Sequence, residues 1–391
     1  MTKTIGVLCY NLCDPTAELL ERVGSQVAAE LVVYPLQAHG ANYSGPLRVG
    51  GEATQRQHIH VPSLGTKERL MLAPCAGTVK RAVGDCDLVM VLGLLGAPLV
   101  SLQLWRMVHG KPVVVVTQMM PKELESGRPR WLRLVKRVLL GRRLDYVAQT
   151  RATVETLRHL YSIPVDRITY APFTPALQTS GEMVNLRGSG CVRIAPKGEL
   201  RLLFVGTLHH LKGLDVLLEA LGQLQAERFQ LTIAGVPPVD EPQYWEELRR
   251  SERYRAIEGR IHYAGHLNPH ELAAVYREHD VLVHPTRKDV WPKVIEEAMS
   301  FGLPVITTTH CGSGAELVKE GKTGFIVRAG DALALRGAIE KLVEDRKRLA
   351  GMRGYLEHHW DRSARRAEET RQISGLLNRI LATAGGRWRT N

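Results

Sequence analysis

"RKDVWPKVIEEAMSFGLPVI", residues Arg287–Ile306, reads as a loop, a helix and a buried strand. Ile295, Ala298, Met299 and Gly302 recur at i, i+3, i+4 and i+7, the core face of a helix over 293–301. Pro292 suits its first turn, Gly302 stops it, and Pro304 opens the next strand. Two acids straddle the loop-to-helix junction, Asp289 and, eight positions on, Glu297. On a helical wheel Glu297 falls at the rim of the buried face, with Glu296 about 100° away. Asp289 precedes a helix N-terminus, where free N–H groups and the dipole favour anions. A bound phosphate or a hydroxyl-rich ligand there would meet both acids. The plainer alternative makes Asp289 a cap-like acid and Glu297 a solvated helix residue.

The pattern continues on both sides of this stretch. Upstream, "TIGVLCY", "CDLVMVLGL" and "KPVVVVTQ" read as strands, while "TAELLERVGSQVAAEL" (16–31) and "APLVSLQLWRMVHG" read as helices. A second series opens at "LRLLFVGTL". It runs through helix "GLDVLLEALGQL", strands "QLTIAG" and "IHYAG", helix "PHELAAVYREH" and strand "DVLVHP", then past the opening stretch to helix "GAELVKEG" and strand "GFIVRAG". Such alternation predicts parallel sheets with helices on both faces. Residues 175–200 mix Pro, Gly and Ser without periodicity and read as a linker. Ligands of such sheets bind beyond the carboxyl ends of the strands, and the opening stretch follows one such end.

At 391 residues the chain suits two domains. With 44% hydrophobic and 24% charged residues it is globular in composition. The N-terminal "MTKTIGVLCYN" has no cleavable-leader pattern, and a cytosolic protein is expected. The six cysteines form neither a CxxC pair nor a zinc spacing, so reduced thiols and no metal site are expected. A net charge of +12 favours acidic partners: nucleic acid, anionic lipid or phosphorylated small molecules. Aromatics are 6% and do not interleave with basic residues, which argues against nucleic acid.

"GTLHHLKG", Gly206–Gly213, directly follows a strand; Gly206 permits close backbone approach, and Lys212 is a candidate phosphate cation. By itself such a lysine also reads as a surface residue. "HCGSGAEL", His310–Leu317, is a Gly-rich loop that fits neither the dinucleotide fingerprint nor the P-loop. In combination these motifs resemble the retaining glycosyltransferases of family 4, closely over Leu202–Asp331 and more loosely back over Leu144–Phe173. The resemblance implies an α/β chain of GT-B fold, with two Rossmann-like doubly wound domains facing a central cleft. It places an acceptor-side domain at 1–178, a nucleotide-sugar domain at 179–370 and a tail helix at 371–391 packing back on the first domain.

The resemblance also implies the site. Asp289 stands where the family usually has Glu, reaching the donor sugar, and Glu297 reaches the ribose. The backbone of Val290, Trp291, Pro292 and Lys293 would face the sugar. Lys212 matches the diphosphate lysine, Gly206 the close approach, Gly265 and His266 the loop near the base, and Gly312, Ser313, Gly314 and Glu316 the second Gly-rich loop. Three positions depart. Thr207 replaces an arginine, for which His209 or His210 would have to compensate; Gln118 stands where the family often has His; and "NLCDPT" replaces a Gly-Gly loop. These departures keep a second reading open, a weak or inactive sugar-nucleotide-binding partner subunit. The implied activity is transfer from a nucleoside-diphosphate sugar to a glycan or lipid-linked acceptor with retention and without cofactor or metal, in cell-surface polysaccharide or glycolipid synthesis. "RPRWLRLVKRVLLGRR", Arg128–Arg143, has seven basic residues and no acid. It reads either as a core-packed helix with a basic back or as a peripheral contact with an anionic inner leaflet.

Overall fold

A computed structural model describes residues 3–9, 14–35, 48–49, 86–93, 110–118, 144–174, 198–224, 228–239 and 241–387. The helix expected from residue 97, up to residue 109, the basic segment 128–143 and most of the linker lie outside these residues. The chain divides into two compact units, 1–176 with 363–391, and 177–362. The expected boundaries were 178/179 and 370/371.

In the first unit, β1 (Lys3–Cys9), β2 (Ala29–Pro35), β3 (Arg48–Val49), β4 (Leu88–Leu92), β5 (Val113–Thr117), β6 (Asp145–Ala148) and β7 (Ile168–Tyr170) form one sheet. Its order is β3-β2-β1-β4-β5-β6-β7, parallel except for β3. Both faces are covered, which is why β5 is an unbroken valine run. Val113 and Val115 pack with Tyr146, Leu157 and Tyr161 on one face; Val114 and Val116 pack with Ile5, Val7 and Leu20 on the other. Helix α1 spans Asp14–Gly24, and β2 begins at Ala29. The single helix expected over 16–31 is thus two elements. Gly24 ends the helix, and the apolar run after it is a strand whose alternation the helical reading absorbed. A short helix α2 (Arg151–Glu155), N-capped by the Thr150 hydroxyl, follows β6.

The second unit is a six-stranded sheet of order β10-β9-β8-β11-β12-β13, with every pairing parallel. Its strands are β8 (Leu200–Val205), β9 (Phe229–Ala234), β10 (Ile261–Gly265), β11 (Val281–His284), β12 (Val305–Thr308) and β13 (Gly324–Val327). Its helices are α3 (Leu214–Gly222), α4 (Gln243–Arg250), α5 (Glu252–Arg255), α6 (Pro269–Glu278), α7 (Lys293–Ser300), α8 (Gly312–Leu317), α9 (Ala332–Glu344) and α10 (Arg346–His359). From β8 the chain builds outward through β9 and β10, then returns to the other side of β8 to lay down β11. The strand order reverses between β8 and β11, and that is the switch point of the sheet.

The final helix, α11 (Arg362–Arg387), lies in the first unit almost throughout its length. Ile373, Leu376, Leu377 and Leu381 enter the core beside α1. Alongside them the buried Glu369 faces Arg22 of α1 at 3.0 Å, with the Gln149 amide at 3.4 Å. Burial pushes the Glu369 carboxyl up to about 7 from an ordinary 4.5, against the pull of Arg22. The folded value lies above the unfolded one, so this group's stabilisation is complete below about pH 4.5 and is lost as pH rises through 7. The loss amounts to about 3 kcal/mol over that window. Replacing Glu369 by Gln removes the titration. Relative to the parent chain, the variant's melting temperature should therefore be clearly more favourable at pH 8 than at pH 5; an offset independent of pH would contradict this.

Candidate functional site

The site grows from the two strand exits at the switch point. Gly206 follows β8, its N–H donating to the Ala234 carbonyl (3.0 Å), and Leu208 turns inward, fully buried. A 3₁₀ turn, His210–Lys212, follows. His209 caps it, its Nδ1 accepting from the Leu211 N–H at 3.1 Å, while its Nε2 lies 2.7 Å from Glu241. Gly213, at φ 73°, lets the chain pass flush against the β11 exit; a Cβ there would overlap the Pro285 carbonyl. From β11, the Thr286 hydroxyl and the Arg287 N–H both donate to the Leu211 carbonyl at 2.8 Å. The Arg287 guanidinium grips Asp215 of α3 through two bonds of 2.7 Å and donates to the His210 carbonyl at 2.9 Å. A third loop, leaving β12, braces the second. The Asp289 N–H donates to His310 (3.2 Å), the Gly312 N–H donates to Asp289 (2.9 Å), and the Thr308 hydroxyl donates to Thr286 (2.6 Å).

This bracing brings Lys212 onto Asp289 in a short ion pair. Their side chains are 27% and 15% exposed. His284, the last residue of β11, lies beneath with Nε2 at 3.6 Å from the same carboxylate oxygen. Burial raises the Asp289 carboxyl, but His284 and Lys212 outweigh it and hold the group below its ordinary value. Asp289 is therefore a charged, partnered acid of the strand exit, not a helix cap; the N-cap residue of α7 is Pro292, which makes no side-chain cap.

Glu297 departs from both sequence-based expectations. It is neither solvated nor at a rim: α7 is buried from Ile295 to Ser300, and Glu297 is 2% exposed. Its Oε2 accepts from the Tyr276 hydroxyl at 3.0 Å. Tyr276 reaches it from α6, whose start is set by a capping box between Asn268 and Glu271 with Pro269 in the first turn. Burial, then the Glu297 charge, push the Tyr276 phenol well up, so it stays a donor. Glu296, expected to point away, is also fully buried and pairs with Arg362 at 3.6 Å. The helix sits under other elements on every side, which a single-face wheel could not show.

The other expected residues are placed as follows. Val290 and Lys293 are half-buried, and Trp291 and Pro292 are buried. Gly312, Ser313 and Gly314 are not a loop but the first turn of α8, all buried, with Glu316 half-buried behind them. Gly265 accepts from the Gly235 N–H (2.7 Å), and His266 beside it is exposed; both sit at edge strand β10, two strands from β8. Thr207 is exposed, and His209 lies against Glu241 and caps its own turn. Gln118 is half-buried after β5 in the first unit. Three residues with a part in this geometry were not anticipated: His284, Tyr276 and Arg287. His284 had a signal, an imidazole closing a strand otherwise fully apolar.

The packing of Gly312 on the Asp289 loop gives a direct test. A Cβ at Gly312 would overlap the Val290 carbonyl oxygen, so backbone must move. Gly312→Ala should cost about 1–3 kcal/mol and displace the Asp289 loop. An unchanged melting temperature would show that the contact is not tight.

Residues 193–359, nearly all of the second unit, match the family model described as glycosyl transferases group 1. A D-inositol 3-phosphate glycosyltransferase of Stackebrandtia nassauensis is 29% identical over 225 residues, 54% of this chain and 49% of that protein. A putative colanic acid biosynthesis glycosyltransferase, WcaL, of Salmonella typhimurium is 36% identical over 155 residues, 37% of this chain and 36% of that protein. The chain thus spans about half or less of these two curated relatives. The crystal structure of Anabaena HepE in complex with UDP superposes over 98% of this chain and 100% of that one, with a TM-score of 0.64 at 17% identity. A parallel sheet with its switch point at β8 and β11, the motif-bearing loops above it and these likenesses agree: the second unit is similar to the group 1 glycosyl transferases over residues 193–359, and the chain has a two-domain, Rossmann-like GT-B fold.

Proposed function

We propose that the chain is a retaining glycosyltransferase that moves a sugar from a nucleoside-diphosphate sugar to a glycan or lipid-linked acceptor in cell-surface polysaccharide or glycolipid synthesis. The observation that carries this reading is the Lys212–Asp289 pair at the switch point, within the family-matched region. A cation and a carboxylate side by side meet the two ends of such a donor. Lys212 and the uncapped N–H groups of α7 suit the diphosphate; Asp289 suits the sugar hydroxyls; Glu297, held by Tyr276, suits the ribose. The curated relatives are glycosyltransferases of an inositol phosphate and of colanic acid synthesis, and HepE binds UDP, which supports a nucleotide donor and a glycan or glycolipid product.

In this reading the difficult event is departure of the nucleoside diphosphate from an oxocarbenium-like sugar. Lys212 and backbone amides stabilise the charge that grows on the leaving phosphate, and no metal is required. The leaving phosphate itself takes the acceptor proton. The two acids position the donor and transfer no proton, so their geometry sets the rate.

A thermal-shift screen with UDP, GDP, ADP and their sugars tests the reading, with ligand at a hundredfold excess over Kd stabilising by about 2.7 kcal/mol. Lys212→Ala should lower turnover about a hundredfold, again about 2.7 kcal/mol. Glu297→Ala should weaken free nucleotide. Asp289→Ala should weaken the sugar nucleotide but spare or strengthen free nucleotide, because it removes the carboxylate that competes for Lys212. Equal impairment of free-nucleotide binding in both acid variants would sink this division of roles.

Among the described residues no helix is long and apolar enough to cross a membrane. We further propose cytoplasmic action with peripheral attachment to an anionic leaflet through the basic segment 128–143, on its charge pattern alone. Each basic residue near such a surface contributes about 1 kcal/mol, so attachment should be salt-sensitive. Co-sedimentation with anionic vesicles should fall at high salt and with Arg133, Lys136 and Arg137 changed to Gln; no binding even at low salt would exclude it.

A further inference from the structure

His284 has a peculiar setting. Its ring is 1% exposed, and neither nitrogen makes a hydrogen bond. Its backbone is ordinary: the strand pairs with β12, where the Thr307 hydroxyl donates to the His284 carbonyl at 2.9 Å. Two charged groups face the ring. Asp289, from the loop after β11, has Oδ2 at 3.6 Å from Nε2; Lys212, from the loop after β8, holds that same oxygen. β12 contributes only the uncharged Thr307. A buried imidazole left without a hydrogen bond is costly and calls for a reason.

We propose that His284 is the positioning residue to which Asp289 is handed over when a donor diphosphate takes Lys212: the imidazole takes up a proton from solvent and holds the carboxylate in place. The inference rests on the nucleotide-sugar reading and goes beyond it by naming what keeps Asp289 in register. Asp289 is only 15% exposed, so losing its lysine would leave an uncompensated carboxylate at the sugar. Among the described residues, the other group that lowers the Asp289 carboxyl is His284, which pairs with it once protonated.

The sign of the effect follows from the neighbours. In the free protein, burial first, and Lys212 in addition, hold the His284 ring below its ordinary value, while Asp289 pulls the other way. A diphosphate neutralises Lys212 and leaves Asp289 unshared, so the ring binds its proton more tightly in the complex. Proton uptake is largest between the free and bound midpoints. Donor affinity rises as pH falls through the bound midpoint and levels off below the free one. A sugar nucleotide suits the measurement because both its phosphates are esterified and neither titrates near neutral pH.

Two measurements test the proposal. The first needs no donor: Lys212→Gln imitates a lysine given up to phosphate. With labelled histidine followed by NMR, the His284 ring should titrate about one pH unit higher in Lys212→Gln than in the parent chain. Adding Asp289→Asn should abolish the rise. A midpoint that stays put or falls in Lys212→Gln overturns the proposal. The second is calorimetry with UDP-glucose between about pH 5 and 8 in buffers of different ionisation heat. Binding should take up a fraction of a proton, up to one, and His284→Asn should bind without that uptake. Binding by the parent chain with no proton uptake at any pH also overturns it. Failure to bind UDP-glucose at all counts against the donor reading alone, and the ring titration then decides this proposal by itself.

Discussion

The Leu211 carbonyl is the point on which the site turns. It accepts from the Arg287 N–H and from the Thr286 hydroxyl, and so ties the loop leaving β8 to the loop leaving β11. These loops depart from adjacent strands whose pairing runs through Leu202–Val281 and Leu203–Leu282, and beyond it the loops need a tie of their own. Gly213 completes the junction by admitting the Pro285 carbonyl where a side chain would have stood. Each bond is worth only about 1 kcal/mol net. Together they remove the freedom that would let Lys212 and Asp289 swing apart, and a partly buried ion pair gains from attraction only when its geometry is already set. The β12 loop adds a second brace through Asp289, Gly312 and Thr308.

Much of this was legible in the sequence, for physical reasons that differ by element. Fully buried parallel strands betray themselves as apolar runs, and every strand expected in the second unit is present. Asp289, Lys212 and the Gly-rich turns stood out through the order of their motifs, which resembles a family; taken singly, each also read as a cap, a surface residue or a plain turn. What failed were properties set by distant chain. The burial of Glu296 and Glu297 depends on α6 and Arg362, which a wheel drawn on α7 alone cannot see. The helix–strand boundary at Gly24 was lost because "VAAELVVY" suits either period. That α11 joins the first unit already at Ser363 is a matter of which core its leucines meet, and no local pattern carries that.

The acids of the second unit's site sort themselves by what they hold. Asp215 is gripped by Arg287 through two bonds and accepts a third from Tyr244, and these donors outweigh the burial that would raise its carboxyl. Arg287 is equally committed, since it also serves the His210 carbonyl. That cluster is scaffold: a ligand would have to break a bidentate pair to use it. Glu297 is bonded to Tyr276, a neutral hydroxyl that no anion would draw away.

Lys212 is different. Its bond to Asp289 is a single contact made by a flexible ammonium, 27% exposed and so open to a competitor. A diphosphate offers it more negative charge than one carboxylate does, so exchange of partner is favourable for the lysine and unfavourable for the acid left behind. The pair therefore sets a threshold. Weak anions do not displace Asp289, whereas a ligand that both neutralises Lys212 and donates hydroxyls to Asp289 restores every lost contact. Such a ligand carries phosphate and sugar on one molecule. In the proposed reading, the arrangement favours a ligand that offers both ends over one that offers either alone.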